Sequence, residues 1–287
     1  MNWTGHNTTR SAATASALDV RRSPSLIPPS PGNRRFPARP PRIRRLPQNW
    51  ELDDAREVQQ QLLPQCGPAV AGLDYAGRCR PAASVGGDYY DFLPISDGRL
   101  GFAIGDVSGK GIPAALLMAT LQASLRGLAI SSPPALPLLM ASLNRLMCDA
   151  TPSNRFATVF YGAYDPNSRE FTYVNGGHNA PMVLRGTEVL RLRDGGPAVG
   201  IFSPAKYEQS FVTLEPGDTL VLFTDGISEA MDPAMVEFGE DRLIEVVRRS
   251  RAMNTSVLIE EVFAACDRFA AGSPQHDDMT LLIVRAE

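Results

Sequence analysis

The order of the predicted strands and helices is the feature that most limits the fold of this chain. Short turns join most of the predicted strands directly to one another, and the predicted helices come in pairs instead of alternating with strands. A doubly wound parallel sheet needs a helix between each strand and the next. The pattern therefore excludes that fold and predicts an α+β protein, with two antiparallel sheets covered by helices.

The predicted elements have the following bounds. Strands are predicted at residues 73–81, 85–93, 99–107, 156–164, 170–175, 181–184, 188–192, 207–214, 219–224 and 279–284. Helices are predicted at residues 51–63, 112–130, 134–149, 239–251 and 255–271. The longest uncharged apolar run, residues 112–125, is shorter than the roughly 20 residues of a membrane span. We therefore predict a buried core helix there.

The first 46 residues differ from the rest of the chain in charge and composition. They contain nine arginines and one acid, so this segment carries about +8 and the remainder about −11, although the whole chain is only −3. A segment rich in Pro, Ser and Arg without apolar periodicity cannot bury enough surface to offset the cost of ordering it. We predict a disordered basic tail at 1–46, a linker with a regulatory helix at 47–70 and the main domain at 71–287.

The helix at 51–63 carries a single apolar stripe. Leu52, Ala55 and Leu62 recur at helical spacing, and the position between them is filled by either Val58 or Gln59. Such a stripe needs a partner, which is the domain beneath it, a second copy of the chain or a separate sensor protein. A homodimer or a sensor partner bound through this helix is therefore one expectation.

The four cysteines are widely separated and form no Cys-x-x-Cys pair. This spacing predicts neither a zinc site nor a disulfide framework. A reducing compartment fits it best, and we expect a cytoplasmic protein.

Four aspartates at strand ends are the candidate functional residues. Asp88, Asp106 and Asp225 each end a predicted strand beside glycines, and Asp277 precedes the last strand together with Asp278. Carboxylates brought together repel one another unless cations lie between them, and Mg²⁺ and Mn²⁺ prefer oxygen ligands. The alternative is a plain Asp-Gly turn, which we predict for residues 97–98 and 194–195.

Five motifs together resemble a known family. They are Gly86-Gly87-Asp88-Tyr89-Tyr90-Asp91, Gly105-Asp106-Val107-Ser108-Gly109-Lys110-Gly111, Asn175-Gly176-Gly177-His178-Asn179, Thr224-Asp225-Gly226 and His276-Asp277-Asp278-Met279-Thr280. Residues 50–286 resemble the bacterial SpoIIE/RsbU-type branch of the protein phosphatase 2C (PPM) family. The resemblance implies an α-β-β-α sandwich with two Mn²⁺ or Mg²⁺ ions at one edge of the paired sheets.

The resemblance also implies a role for each motif residue. Asp106 would bridge both metals with help from the Val107 carbonyl, Asp225 and Asp277 would hold one ion, and Asp88 would hold the other. Asp277 is chosen over Asp278 because adjacent side chains on a strand point to opposite sides, so only one of the two is a direct ligand.

The implied activity is that of a metal-dependent phosphoserine/phosphothreonine protein phosphatase. Two ions would activate a water for direct in-line hydrolysis, with Asp88, Asp106, Asp225 and Asp277 as the catalytic set. The implied substrate is a phosphorylated STAS-domain anti-anti-sigma factor of a partner-switching pathway. Residues 197–207 and the helix that begins near Ile112 are the expected recognition surfaces.

Two other function classes remain as alternatives. One is a catalytically silent binding module with the same fold, although no ligand aspartate is lost. The other is a metal-dependent phosphodiesterase or nuclease recruited by the basic tail, which the acidic remainder of the chain argues against.

Two further motif residues have less specific interpretations. His178 is expected to hold its glycine-rich loop through hydrogen bonds, with a catalytic role as the alternative. Lys110 is expected to be solvated at a helix start, with contact to a phosphate as the alternative. The eukaryotic branch has a histidine after the bridging aspartate, where this chain has Ser108 and Lys110. The general acid for the leaving group is therefore unassigned.

Overall fold

The computed structural model describes residues 50–130, 135–152 and 154–287. The strands are β1 (Leu73–Arg80), β2 (Tyr89–Pro94), β3 (Leu100–Val107), β4 (Ala157–Asp165), β5 (Glu170–Gly176), β6 (Met182–Arg185), β7 (Glu188–Arg191), β8 (Gly195–Gly196), β9 (Ser210–Thr213), β10 (Thr219–Phe223) and β11 (Met279–Ala286). The helices are α1 (Trp50–Leu62), α2 (Ile112–Ile130), α3 (Leu136–Ala150), α4 (Asp225–Ser228), α5 (Gly239–Arg249) and α6 (Thr255–Ala270). The predicted basic tail, 1–46, lies outside the described residues.

The strands form two sheets. Sheet A has the order β1-β11-β10-β6-β7, and its register pairs are antiparallel. Sheet B has the order β2-β3-β4-β5-β8, with β9 also paired to β5. Only the short β5–β8 pair is parallel among the described strands, so the prediction of purely antiparallel sheets is wrong at this one position.

Three apolar clusters hold the layers together. The middle cluster lies between the sheets and includes Phe102 and Phe160 of sheet B with Leu222 and Leu282 of sheet A. Helices α2 and α3 cover the other face of sheet B, and α5 and α6 cover the other face of sheet A. The predicted α-β-β-α sandwich is confirmed.

The local differences from the predicted elements have identifiable causes. The second strand begins at Tyr89 instead of residue 85, because the preceding loop is hydrogen-bonded to Asp278. The hairpin turn at residues 97–98 is confirmed as part of a short 3₁₀ helix between β2 and β3. Gly195 is wrongly predicted as a plain turn, since it begins β8 beside Asn175.

Helix α2 is a core helix with one buried face. Among the described residues it is the one helix long and apolar enough to cross a membrane by length and composition alone. Its residues Met118, Leu121 and Leu125 are fully buried in the cluster against sheet B. That packing matches the predicted core helix.

Helix α1 docks through Gln59. The Gln59 side chain is 8% exposed, whereas Val58 is 63% exposed, so the apolar alternative for the middle of the stripe is wrong. The Gln59 amide donates to the Gly86 carbonyl at 2.8 Å and accepts from the Gly86 N–H at 2.9 Å. Gln122 of α2 also donates to the Leu62 carbonyl, at 3.3 Å. Within the described chain, the domain beneath is therefore a partner of α1.

Candidate metal centre

The four predicted ligand aspartates come from both sheets. Asp88 directly precedes β2 and Asp106 is the penultimate residue of β3, which is the neighbouring strand of sheet B. Asp225 begins α4 just after β10, and Asp277 lies two residues before β11, the neighbouring strand of sheet A. Each sheet thus contributes two carboxylates.

Asp88 is buried and held by two hydroxyl groups. Its side chain is 3% exposed, and its Oδ2 accepts hydrogen bonds from Thr224 Oγ1 at 2.8 Å and Thr280 Oγ1 at 2.6 Å. Burial, followed by the negative charge of Asp106, raises the pKa of Asp88 well above its usual range. Both hydroxyls bond to Oδ2, and none of the described residues forms a hydrogen bond with Oδ1, so Oδ1 is the oxygen that an ion would use.

Asp106 lies close enough to Asp225 and Asp277 for their negative charges to affect its pKa. Burial and then the charges of Asp225 and Asp277 raise the pKa of Asp106 to about 7. Burial and then Asp277 also raise the pKa of Asp225, and the Gly226 N–H opposes that rise. The carboxylates therefore form a cluster of like charges that a cation would stabilise.

The neighbours Asp277 and Asp278 have different environments. Asp278 is buried, and its two carboxylate oxygens accept the N–H groups of Ala82 at 2.8 Å and Gly87 at 2.7 Å. A Cβ at position 86 would lie 2.2 Å from Asp278 Oδ2, so glycine is needed there. Asp278 thus fixes the loop before Asp88, while Asp277 is 44% exposed.

The Val107 carbonyl is buried against this loop. A Cβ on Gly87 would lie 2.8 Å from the Val107 oxygen, and the Val107 N–H donates to the Gly87 carbonyl at 3.3 Å. The predicted carbonyl ligand is therefore packed beside the residue that precedes Asp88.

Lys110 is 60% exposed, as predicted for a solvated lysine, but its ammonium also has partners in the protein. Its Nζ lies 2.8 Å from Asp277 Oδ2 and also donates to the His276 carbonyl. Its charge lowers the pKa of Asp106 and of Asp225 relative to what burial and like charges alone would give. Lys110 thus contributes a positive charge to the cluster of aspartates.

His178 joins the two sheets. Its Nε2 lies 3.1 Å from the Phe223 carbonyl in sheet A, and its Nδ1 lies 2.9 Å from Thr158 Oγ1 in sheet B. A carbonyl only accepts, so Nε2 carries the proton and Nδ1 accepts from the hydroxyl. Burial lowers the pKa of His178 to about 4, which keeps the ring neutral. These contacts agree with the hydrogen-bonding role predicted for this loop.

The donor chemistry fits hard divalent cations. Carboxylate oxygens are the ligands that Mg²⁺ and Mn²⁺ prefer, and burial together with neighbouring negative charges raises the pKa of Asp88 and Asp106, which a cation would counteract. Within the described residues, however, no three His, Cys, Asp or Glu side chains converge tightly enough to surround an ion. The aspartates are brought to one edge, and binding ions would require them to draw closer together.

Sequence reasoning missed the threonines that hold Asp88. Thr224 and Thr280 are both buried and both lie inside motifs that the sequence singles out. The signal that could have found Thr280 is strand alternation, because it lies two residues after Asp278 and shares its side of the strand.

Comparisons with known proteins identify the family. The profile of the stage II sporulation protein E (SpoIIE) family matches residues 96–287. Phosphoserine phosphatase RsbU of Bacillus subtilis is 31% identical over 239 residues, which cover 82% of this chain and 70% of RsbU. Protein IcfG of Synechocystis sp. is 29% identical over 264 residues, covering 82% of this chain but only 41% of IcfG.

A solved structure supports the same assignment. The SiaA-PP2C domain of Pseudomonas aeruginosa superimposes with a TM-score of 0.73 at 23% identity, covering 83% of this chain and 96% of that domain. At that identity the similarity shows the fold. The chain therefore belongs to the SpoIIE family and has the fold of a PP2C phosphatase domain.

Proposed function

We propose that the chain is a metal-dependent protein phosphatase that hydrolyses phosphoserine or phosphothreonine. The observation that carries the proposal is the cluster of Asp88, Asp106, Asp225 and Asp277 at one edge of the two sheets, with raised pKa values for three of its members. The name of RsbU, a phosphoserine phosphatase, supports the reaction class. The proposed domain is 71–287, with the regulatory helix in 47–70.

The residues of the chain would divide the work as follows. Asp106 would hold both ions, Asp225 and Asp277 would share one, and Asp88 would complete the other from its buried position. Asp278 would keep the Asp88 loop in place, because both of its oxygens already bind backbone N–H groups. When bound, the divalent ions supply charge stabilisation at the phosphoryl oxygens and an activated water.

The test of the reaction uses the full-length protein and an aryl phosphate ester. We expect hydrolysis with Mn²⁺ or Mg²⁺ and none with excess chelator. Full activity in excess chelator would contradict the two-ion proposal. Absence of both hydrolysis and Mn²⁺ binding by calorimetry would instead favour the silent binding module.

The proposed substrate is a phosphorylated STAS-domain regulator of a partner-switching pathway. Its support is the family, since a solved relative contains RsbU and RsbW domains in one protein and covers 79% of this chain at 26% identity. The test is to phosphorylate candidate STAS proteins with their kinases and follow phosphate release by native mass spectrometry. If the protein hydrolyses the aryl ester but leaves every STAS protein phosphorylated, the substrate assignment fails and the phosphatase assignment stands.

A further inference from the structure

Lys110 is chemically unusual in this chain. Lys110 and Lys206 are the only lysines among 28 basic residues, the others being arginines. The loop that carries Lys110 connects β3 to α2 and has glycines with positive φ on both sides, Gly109 at 96° and Gly111 at 71°. An ammonium group is a compact point charge on a flexible stem, unlike the planar guanidinium.

The position of the ammonium is defined by acidic groups. Its ion pair with Asp277 Oδ2 engages one oxygen of a predicted metal ligand. Its charge also lowers the pKa of Asp106, Asp225 and Glu229, so it acts on three further carboxyls around the site. The ammonium therefore provides positive charge to the same carboxylates that would bind divalent ions.

Arg155, which lies between α3 and β4, is a second cation beside this loop and has a different role. Its Nη1 donates to the Ser108 carbonyl at 2.6 Å and lies so close to Gly109 that a Cβ there would be 1.7 Å away. Within the described residues no carboxylate forms an ion pair with Arg155. Arg155 braces the loop, and Lys110 alone reaches the acidic cluster from it.

We propose that divalent metal displaces Lys110 from Asp277, and that the released ammonium then contacts the phosphoryl group of the substrate. The inference rests on the proposed function. Asp277 Oδ1 already accepts the Asp278 N–H at 3.0 Å and Oδ2 is held by the ammonium at 2.8 Å, so an ion that binds through Oδ2 competes with Lys110 for that oxygen. Lys110 and Asp277 also line a cavity of about 250 Å³, which gives the side chain room to move.

Release of the ammonium has a chemical consequence. Once separated from Asp277, a side chain already 60% exposed would lie beside the ions with no anion of its own. A phosphate dianion bound at those ions would offer the ammonium a new anionic partner, and lysine is a common phosphate-binding residue. Removal of the Lys110 ammonium should then raise the affinity for divalent metal and lower the affinity for phosphate.

The experiment compares Lys110→Met with Lys206→Met, which removes the exposed second lysine outside the acidic cluster. Calorimetry on the full-length proteins gives the Mn²⁺ affinity. Competition of inorganic phosphate with the aryl phosphate ester gives the phosphate affinity of the Mn²⁺-loaded proteins. We expect Lys110→Met to bind Mn²⁺ about tenfold more tightly and phosphate about tenfold more weakly. Lys206→Met should match the wild type in both.

A folding defect would weaken both affinities, so opposite signs separate the proposal from simple damage. If Lys110→Met binds Mn²⁺ or phosphate as the wild type does, or binds both more weakly, the inference is overturned. Either result leaves the proposed function intact as long as the wild type binds Mn²⁺ and hydrolyses the ester. A wild type that binds no Mn²⁺ would overturn the proposed function and this inference together.

Discussion

The two ends of the acidic cluster are built in contrasting ways. Asp88 is almost completely buried and is fixed by two threonine hydroxyls, and among the described residues it forms no ion pair. Asp277 is 44% exposed and forms an ion pair with Lys110. One end is thus oriented by neutral hydrogen bonds in a dry environment, and the other by a charge that water and ions can replace. The contrast indicates that the buried Asp88 end determines the positions of the ligand oxygens. The exposed Asp277 end determines how the site responds to salt and metal ions in solution.

The largest expected effect comes from the middle of the cluster, where both ends meet. Asp106→Asn or Asp225→Asn should lower phosphatase activity by at least about a hundredfold, because several kcal/mol of charge stabilisation depend on the ions. The exposed aspartate Asp54 on α1 supplies the control, and Asp54→Asn should retain activity. Wild-type rates in either cluster variant would contradict the two-ion proposal.

The substitution Asp106→Asn should also stabilise the metal-free protein. The pKa of Asp106 is about 7 in the folded chain, above its value in an unfolded chain, so the folded state binds the proton more tightly. The contribution of this group to stability is therefore present at low pH and is lost as pH rises towards 7. We expect Asp106→Asn to remove that loss and to raise the Tm at pH 8, measured by calorimetry in chelator. A lower Tm for the variant would show that the carboxylate is not under repulsion.

The buried end is tested through its hydroxyl groups. Thr280→Val keeps the side-chain shape but removes the hydrogen bond to Asp88 at 2.6 Å. Loss of groups that orient a ligand costs roughly 10- to 100-fold in metal affinity or activity, and we expect a decrease in that range. Thr219→Val is the control, since Thr219 is also buried but lies at the opposite end of β10. Equal effects of the two changes would indicate a general packing loss.

A smaller effect is expected from the contact between α1 and the Asp88 loop. Gln59→Ala removes two hydrogen bonds to Gly86, each worth about 1 kcal/mol. We expect faster hydrogen exchange in residues 82–88 and a several-fold change in activity. The matched control is Val58→Ala, on the exposed side of the same helix. Unchanged hydrogen exchange in the Gln59 variant would show that α1 does not stabilise the Asp88 loop.

Removing residues 1–64 tests whether the segment that contains α1 affects the site. We expect a change in activity or in oligomeric state, measured by rate and by light scattering. A monomer before and after truncation, with an unchanged rate, would refute a regulatory role for the helix.

The smallest effect on activity is expected from His178, whose ring contacts Thr158 and the Phe223 carbonyl and no carboxylate among the described residues. Its pKa is about 4 in the folded chain and near 6.5 when unfolded, so between these values only the unfolded state takes up a proton. Stability should therefore fall as pH decreases from 6.5 to 4, by up to about 1.4 kcal/mol per pH unit. His178→Gln should flatten this slope in urea titrations of the metal-free protein, whereas His276→Gln, at an exposed histidine, should not.

The sequence predicts the layers of this fold well because they depend on element order. Turns between strands and paired helices are local signals, and they are sufficient to place α2 and the β2–β3 hairpin. The parallel strand β8 is two glycines long, too short to produce a periodic signal, so sequence reasoning reads it as a turn.

The site is less readable because its details are contacts between distant segments. Strand alternation separates Asp277 from Asp278, but it does not reveal that Asp278 binds the N–H groups of Ala82 and Gly87, almost 200 residues earlier. A helical stripe leaves Val58 and Gln59 equivalent, and only the Gly86 backbone opposite them decides between the two. Lys110 is similar, since its partner Asp277 is set by the chain fold and not by local pattern.

Because the four aspartates are divided between the two sheets, the site is complete only when both sheets have folded. Sheet B supplies Asp88 from the residue before β2 and Asp106 from β3, and sheet A supplies Asp225 and Asp277 from segments more than a hundred residues later. A nascent chain, a proteolytic fragment or a protein with one sheet unravelled would hold only half of the set. Under the proposed function, hydrolysis would thus begin only after β11 has been made and inserted into sheet A.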